Sequence, residues 1–177
     1  MKYNKWMLIV AMIAGGVLTS CSEDSLNGTS IFDTQTPERN EFDNWLLTEY
    51  VNPYNIAFKY RLEDKETDHQ YNLLPADYDK SVALAKLVKF LWLGSYEELM
   101  NDDGEFIKTY CPKVITLIGS KAYNPDSHSV VLGTAEGGLK VVLYNVNELD
   151  AENPDVEVLN EWYFKTMHHE FAHILHQ

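Results

Sequence analysis

The segment that most restricts what this chain can fold into is His168-His169-Glu170-Phe171-Ala172-His173-Ile174-Leu175-His176-Gln177. It carries four of the six histidines in 177 residues, at a spacing that has chemical meaning only on a helix. Residues four apart stand one turn above each other, so His169 and His173 share a face and two imidazoles can converge on one Zn²⁺. Glu170 lies about 100° further round, where a carboxylate can take a proton from water activated by the metal. The pattern H-E-x-x-H therefore reads as two ligands and a base. With the same rotation per residue, Tyr163, Phe164, Met167, Phe171, Ile174 and Leu175 fall on one side. Trp162, Thr166, His169, His173 and His176 fall on the other. One face packs and the other holds histidines. The plain alternative is a surface helix whose histidines merely cluster, and the segregation of the two faces argues against it.

The beginning of the chain concerns its destination. Residues 1–20 read as a targeting segment, with Lys2 and Lys5 ahead of an apolar run from Trp6 to Leu18 that is short for a bilayer span. Leu18-Thr19-Ser20-Cys21 is similar to the lipobox of bacterial lipoprotein signal peptides, which implies cleavage before Cys21 and lipidation there. An ordinary secretory signal or an uncleaved anchor is the alternative. Residues 21–36 are polar and small, a flexible lipidated tether. Glu23-Asp24 resembles the acidic signal that sends Bacteroidota lipoproteins to the cell surface; a plain solvated linker, with the protein on the periplasmic face, is the other reading.

Removing the leader leaves 157 residues, 37–177 being the domain proper, enough for one core. The formal charge of −13 becomes −15 when Lys2 and Lys5 are lost, and no basic cluster compensates. That balance argues against binding to nucleic acid or to an anionic membrane surface. Membrane attachment would come from the lipid. Cys111, the only other cysteine, has no intrachain partner if Cys21 is lipidated and reads as a buried thiol.

Between tether and histidine helix the periodicities predict an α+β domain. Thr36-Pro37 is expected to open a first helix with the stripe Phe42, Trp45, Leu46 and Tyr50, stopped by Asn52-Pro53. Tyr54 to Arg61 alternates as a half-buried strand, and Glu63-Asp64-Lys65-Glu66 is a solvated loop. A second helix runs from Asp79 to Leu93 with Gly94 beyond its end. Ser95-Tyr96-Glu97-Glu98 reads as the capping box of a short third helix, and Glu105 to Cys111 as another helical piece after Asp102-Asp103-Gly104. Three strands follow: Val114 to Gly119, Ser129 to Leu132, and Leu139 to Val146 after the Gly137-Gly138 turn. An acidic loop from Asn147 to Asp155 leads into the histidine helix. The last strand is expected either to offer its backbone edge to an extended substrate or to lie inside the sheet.

Lipobox, acidic domain and His168-His169-Glu170-Phe171-Ala172-His173 together resemble the zinc metallohydrolase lipoproteins of Bacteroidota associated with substrate import, a class of zinc-binding metallopeptidases. Asn52-Pro53-Tyr54-Asn55-Ile56 and Lys59-Tyr60-Arg61 are similar to that family's N-terminal region. The resemblance implies a zincin-like fold with N-terminal helices, a mixed sheet and a C-terminal active-site helix. It implies Zn²⁺ held by His169 and His173, with Glu170 as general base cleaving a peptide or amide substrate. It also implies company: the outer membrane, a TonB-dependent importer and its substrate-binding lipoprotein.

Catalytic zinc normally has three protein ligands and a water, and only two are evident here. His176 shares the helical face but stands about 10 Å from His169 along the axis, too far for easy chelation of one ion. His168 points away from that face. His69, His128, Asp150 and Glu161 are upstream donors that no spacing favours. The chain is therefore expected to be the N-terminal part of a longer protein, inactive alone if the third ligand lies beyond Gln177. The rival reading is a non-catalytic lipoprotein that helps an importer capture ligand or metal. Metal scavenging by the histidines is a third. Glu170 favours the enzyme, since a binding module needs no base beside its ligands.

Overall fold

Ile56, Phe58 and Tyr60 alternate with Ala57, Lys59 and Arg61, and the first three are buried as an extended backbone with one inward face requires. They flank and form strand β1 (Ala57–Lys59) in the computed structural model, which describes residues 38–63, 70–136 and 139–176. The leader, Cys21, the tether, Thr36-Pro37, the acidic loop beyond Glu63, His69, the Gly137-Gly138 turn and Gln177 lie outside those residues. The remaining strands are β2 (Val114–Leu117), β3 (Ala122–Tyr123), β4 (Val130–Val131), β5 (Gly133–Glu136) and β6 (Lys140–Leu143). One sheet has the order β1-β2-β6-β5, and β3 with β4 makes a separate ribbon. β1, β2 and β6 are parallel; β5 runs antiparallel to β6, with Gly133 opposite Leu143 and Glu136 opposite Lys140.

Among the described residues, four helices and a short 3-10 turn, Val146–Glu148, complete the α+β fold. α1 spans 41–54, with an α-helical start Glu41–Leu46, a π-helical turn Leu47–Val51 and a last turn Asn52–Tyr54. α2 spans 78–100 and is likewise interrupted by a wide turn, Lys89–Leu93. α3 is Glu105–Tyr110. α4 spans 156–175, from Val156–Leu159 through the π-helical turn Asn160–Phe164 to Lys165–Leu175. Tyr50, Leu84, Val88, Trp92 and Leu93 from the first two helices share one core with Ile115, Leu117, Val141 and Leu143 of the sheet and Tyr163, Met167 and Phe171 of α4.

Several boundaries differ from the sequence expectations, each for a local reason. α1 is capped by Asn40 rather than Thr36, and it runs past Pro53. Proline is tolerated there because the π-helical turn before it has already left the regular ladder, with the Asn52 N–H donating to the Leu47 carbonyl five residues back. The helix stops at Asn55, left-handed at φ 55°. Gly94 does not end α2: it is right-handed helical, and Ser95 returns its hydroxyl to the Leu91 carbonyl instead of capping a new helix. The two expected helices are one, ending at Asn101 with φ 49°. Of the run Leu139 to Val146, only Lys140–Leu143 is strand, and it lies inside the sheet between β2 and β5. It has no free edge for a substrate. β3 and β5 were not expected at all, being short or rich in small and polar residues.

The start of α1 is tied to the end of β1 through one carboxylate. Asp43 closes a capping box with Asn40, accepting from its backbone N–H at 3.0 Å, while Asn40 Oδ1 accepts from the Asp43 N–H at 2.7 Å. Tyr60 donates its hydroxyl to Asp43 at 2.9 Å, and Arg61 grips both oxygens at 3.1 and 2.8 Å. Burial pushes the Asp43 pKa up, but the bonds from Arg61, Asn40 and Tyr60 outweigh it and hold it below the ordinary carboxylate value. A depressed carboxylate contributes stability above its unfolded pKa and loses it as pH falls through the folded value. Asp43→Ala should therefore cost about 2 kcal/mol at neutral pH. In urea titrations the gap to the parent should narrow below about pH 4.

Candidate metal centre and cleft

The inner face of α4 is fixed before its outer face is presented. Asp155 caps the helix through the Glu157 and Val158 N–H groups. The Tyr163 hydroxyl donates to the buried Asn145 carbonyl at 3.1 Å. Further along, Phe171 packs edge-on against Trp92, Tyr96 and Phe106, with ring centroids 5.3, 5.1 and 6.0 Å apart. Met167 and Phe171 are buried. The opposite face then has no choice but to carry His169, Glu170 and His173 outward.

His169 and His173 are exposed and Glu170 is half-buried. The two imidazoles stand at 82° to each other, and their Nε2 atoms are 3.1 Å apart. That separation is a test of metal fit. Two nitrogens each about 2.05 Å from a tetrahedral zinc would be about 3.3 Å apart. The pair is thus preset for one ion, and as it stands one Nε2 donates its hydrogen to the other. Among the described residues, however, no three of His, Cys, Asp or Glu come together to hold a metal. His128, Asp150 and Glu161 do not join the pair, and neither does His176, which caps the C-terminus of the helix.

His168 turns away from the pair, as expected from its position on the helix. Its Nδ1 lies 3.0 Å from the Tyr96 hydroxyl, and its ring stands 6.4 Å from that of Trp92. Burial lowers its pKa, keeping it neutral. Cys111 is buried, with its thiol pKa pushed up by burial, as an inert core thiol should be.

Beside Glu170 opens a cleft of about 220 Å³ lined by Leu132, Gly133, Lys165, Thr166, His169 and Glu170. One wall is α4 and the other is the start of β5, the antiparallel edge strand. Gly133 permits the two to meet: a methyl group there would overlap the Thr166 methyl and stand 3.0 Å from the Val142 carbonyl. An isolated glycine within a strand signals such close backbone approach, and this was the available clue to the cleft. Gly133→Ala should cost about 1–3 kcal/mol through overpacking, read as a lower midpoint in chemical denaturation.

The fold and this geometry meet a known group of proteins. The family described as "Putative zinc-binding metallo-peptidase" matches residues 35–177. The chain belongs to this family. A solved structure, that of a "putative zinc-binding metallo-peptidase" from Bacteroides caccae ATCC 43185, is 55% identical and superposes with a TM-score of 0.61. The match covers 84% of this chain and 54% of that one, so the chain spans about half the length of its solved relative. No curated protein matches. Membership of a zinc-binding metallopeptidase family agrees with the metal and the reaction class drawn from His169, Glu170 and His173. Tyr96, Lys165 and Gly133, by contrast, were not singled out from sequence; only the tertiary fold brings Tyr96 to α4.

Proposed function

We propose that the chain is a zincin-type zinc peptidase, hydrolysing peptide or closely related amide bonds, with His169 and His173 as metal ligands and Glu170 as base. The observation that carries this reading is the 3.1 Å between the two Nε2 atoms, with Glu170 beside them on the wall of a cleft. Zinc held there supplies Lewis acidity, acidifying water and polarising a carbonyl. Glu170 takes the proton of the attacking water on its carboxylate and delivers it to the leaving amine nitrogen as the C–N bond breaks. Edge strand β5, rather than interior β6, has backbone groups available to pair with an extended peptide. Its antiparallel course beside α4 sets that peptide across the histidine pair.

Location and partners belong to the same proposal. Lys2, Lys5, the apolar run and Leu18-Thr19-Ser20-Cys21 support a lipoprotein anchored at Cys21 in the outer membrane, facing the cell surface through Glu23-Asp24. A relative from a Bacteroides species supports the Bacteroidota assignment. A TonB-dependent importer with its substrate-binding lipoprotein would be the neighbours. Among the described residues no helix is long and apolar enough to cross a membrane.

One observation favours a second reading, a non-catalytic metal- or substrate-binding accessory: the described residues supply no third donor. Hydrolysis of a peptide library by the full chain, compared with Glu170→Gln, separates the two. Turnover that depends on Glu170 supports the peptidase, and equal turnover by both proteins removes it.

A further inference from the structure

We propose that Lys165 is a specificity-determining residue that draws a substrate carboxylate into the cleft. The inference rests on the peptidase reading above and extends it from reaction to substrate class. Among the described residues, Lys165 is the only lysine or arginine lining the cleft, which it shares with His169 and Glu170. It stands four residues before His169, on the same face of Lys165–Leu175, so its stem runs beside the proposed ligands. The chain has 27 acidic and 14 basic residues, so a cation beside the histidine pair stands out against its surroundings. Lys89 and Lys108 face glutamates, and Lys80 and Lys113 donate to backbone carbonyls. Lys165 makes no ion pair or hydrogen bond among the described residues, not even with Glu161 one turn earlier.

An unpaired, solvent-exposed ammonium on the wall of the cleft recognises a carboxylate by charge-assisted hydrogen bonding. It matters more here than on a neutral protein, because the surrounding negative charge repels acidic peptides and Lys165 offsets that repulsion locally. The carboxylate has two sources, an acidic side chain near the scissile bond or the peptide's own C-terminus.

The test uses the full chain with fluorogenic peptides in two matched pairs. One pair differs by Glu against Gln inside an amidated peptide, the other by a free against an amidated C-terminus. The wild type should favour one acidic member by about ten-fold in kcat/KM, seen chiefly in KM, since uniform binding is what a ground-state charge pair supplies. That ratio should fall to about one in Lys165→Gln, invert in Lys165→Glu and return in Lys165→Arg. Whichever pair responds identifies the source. Fluorescence anisotropy with the same peptides on the Glu170→Gln background reads binding without turnover and should show the same order. An unchanged acidic preference in Lys165→Glu overturns the assignment while leaving the peptidase intact. Equal turnover by wild type and Glu170→Gln sinks the peptidase reading instead, and the anisotropy ratio still decides Lys165.

Discussion

Glu170→Gln should retain zinc and lose roughly 10²–10⁴-fold in kcat, the range that positioned general bases supply. The substitution keeps the size of the side chain and its half-buried place beside the cleft. It removes the only carboxylate among the described residues that line the cleft, and with it the group that can accept a proton from water. Because the base acts in the transition state and not in the ground state, KM should stay close to the parent value. Stability should also be nearly unchanged, since no described hydrogen bond to a neighbour is lost. Steady-state kinetics beside a thermal melt measures both. A variant that melts normally and is inactive supports the assignment; a variant that turns over at the parent rate sinks it.

The second large effect concerns the metal itself. His169→Ala and His173→Ala should each lose stoichiometric zinc, because either change leaves one imidazole where the pair had two Nε2 atoms 3.1 Å apart. Metal affinity scales steeply with ligand number, and one histidine with water holds zinc only weakly. His168→Ala should keep its zinc. His168 bonds Tyr96 and packs near Trp92 rather than facing the pair, so its loss registers as stability instead. Zinc per chain by atomic emission after gel filtration distinguishes the three. Zinc retained at full stoichiometry in both His169→Ala and His173→Ala would place the metal elsewhere.

The sequence was most legible where a periodicity had a single solution. The inward face of α4, with Met167 and Phe171 buried and His169 and His173 exposed, follows from helical spacing alone. So does the alternation of Ile56, Phe58 and Tyr60 around β1. It was least legible where a wide helical turn or a tertiary contact intervened. A π-helical turn adds a residue and rotates everything after it, so a helical wheel drawn across Asn160–Phe164 loses phase. Trp162, expected on the histidine face, is partly buried against the core, with Lys121 over its ring at 5.3 Å. Gly94 reads as a stop yet lies within α2, since Trp92 and Leu93 are fully buried just before it and packing overrides propensity.

The substrate edge shows the same limit from the other side. A place just before the histidine helix drew the role to Leu139 to Val146, with an interior position as the alternative; the alternative holds, since an unbroken apolar run marks a strand covered on both faces. The edge belongs to the less apolar Gly133–Glu136, whose sequence carries almost no strand signal. Local sequence can say which residues belong on one face of a helix. Neither the neighbour of a strand nor the partner of His168 is written locally.

The measurement closest to the central claim is zinc K-edge X-ray absorption on the full chain purified with its metal. Scattering from two imidazoles at about 2.0–2.1 Å in the wild type, with the bound-zinc signal lost in His173→Ala, is the expected result. A zinc shell without imidazole, or one that His173→Ala leaves unchanged, would contradict the assignment of His169 and His173 as its ligands.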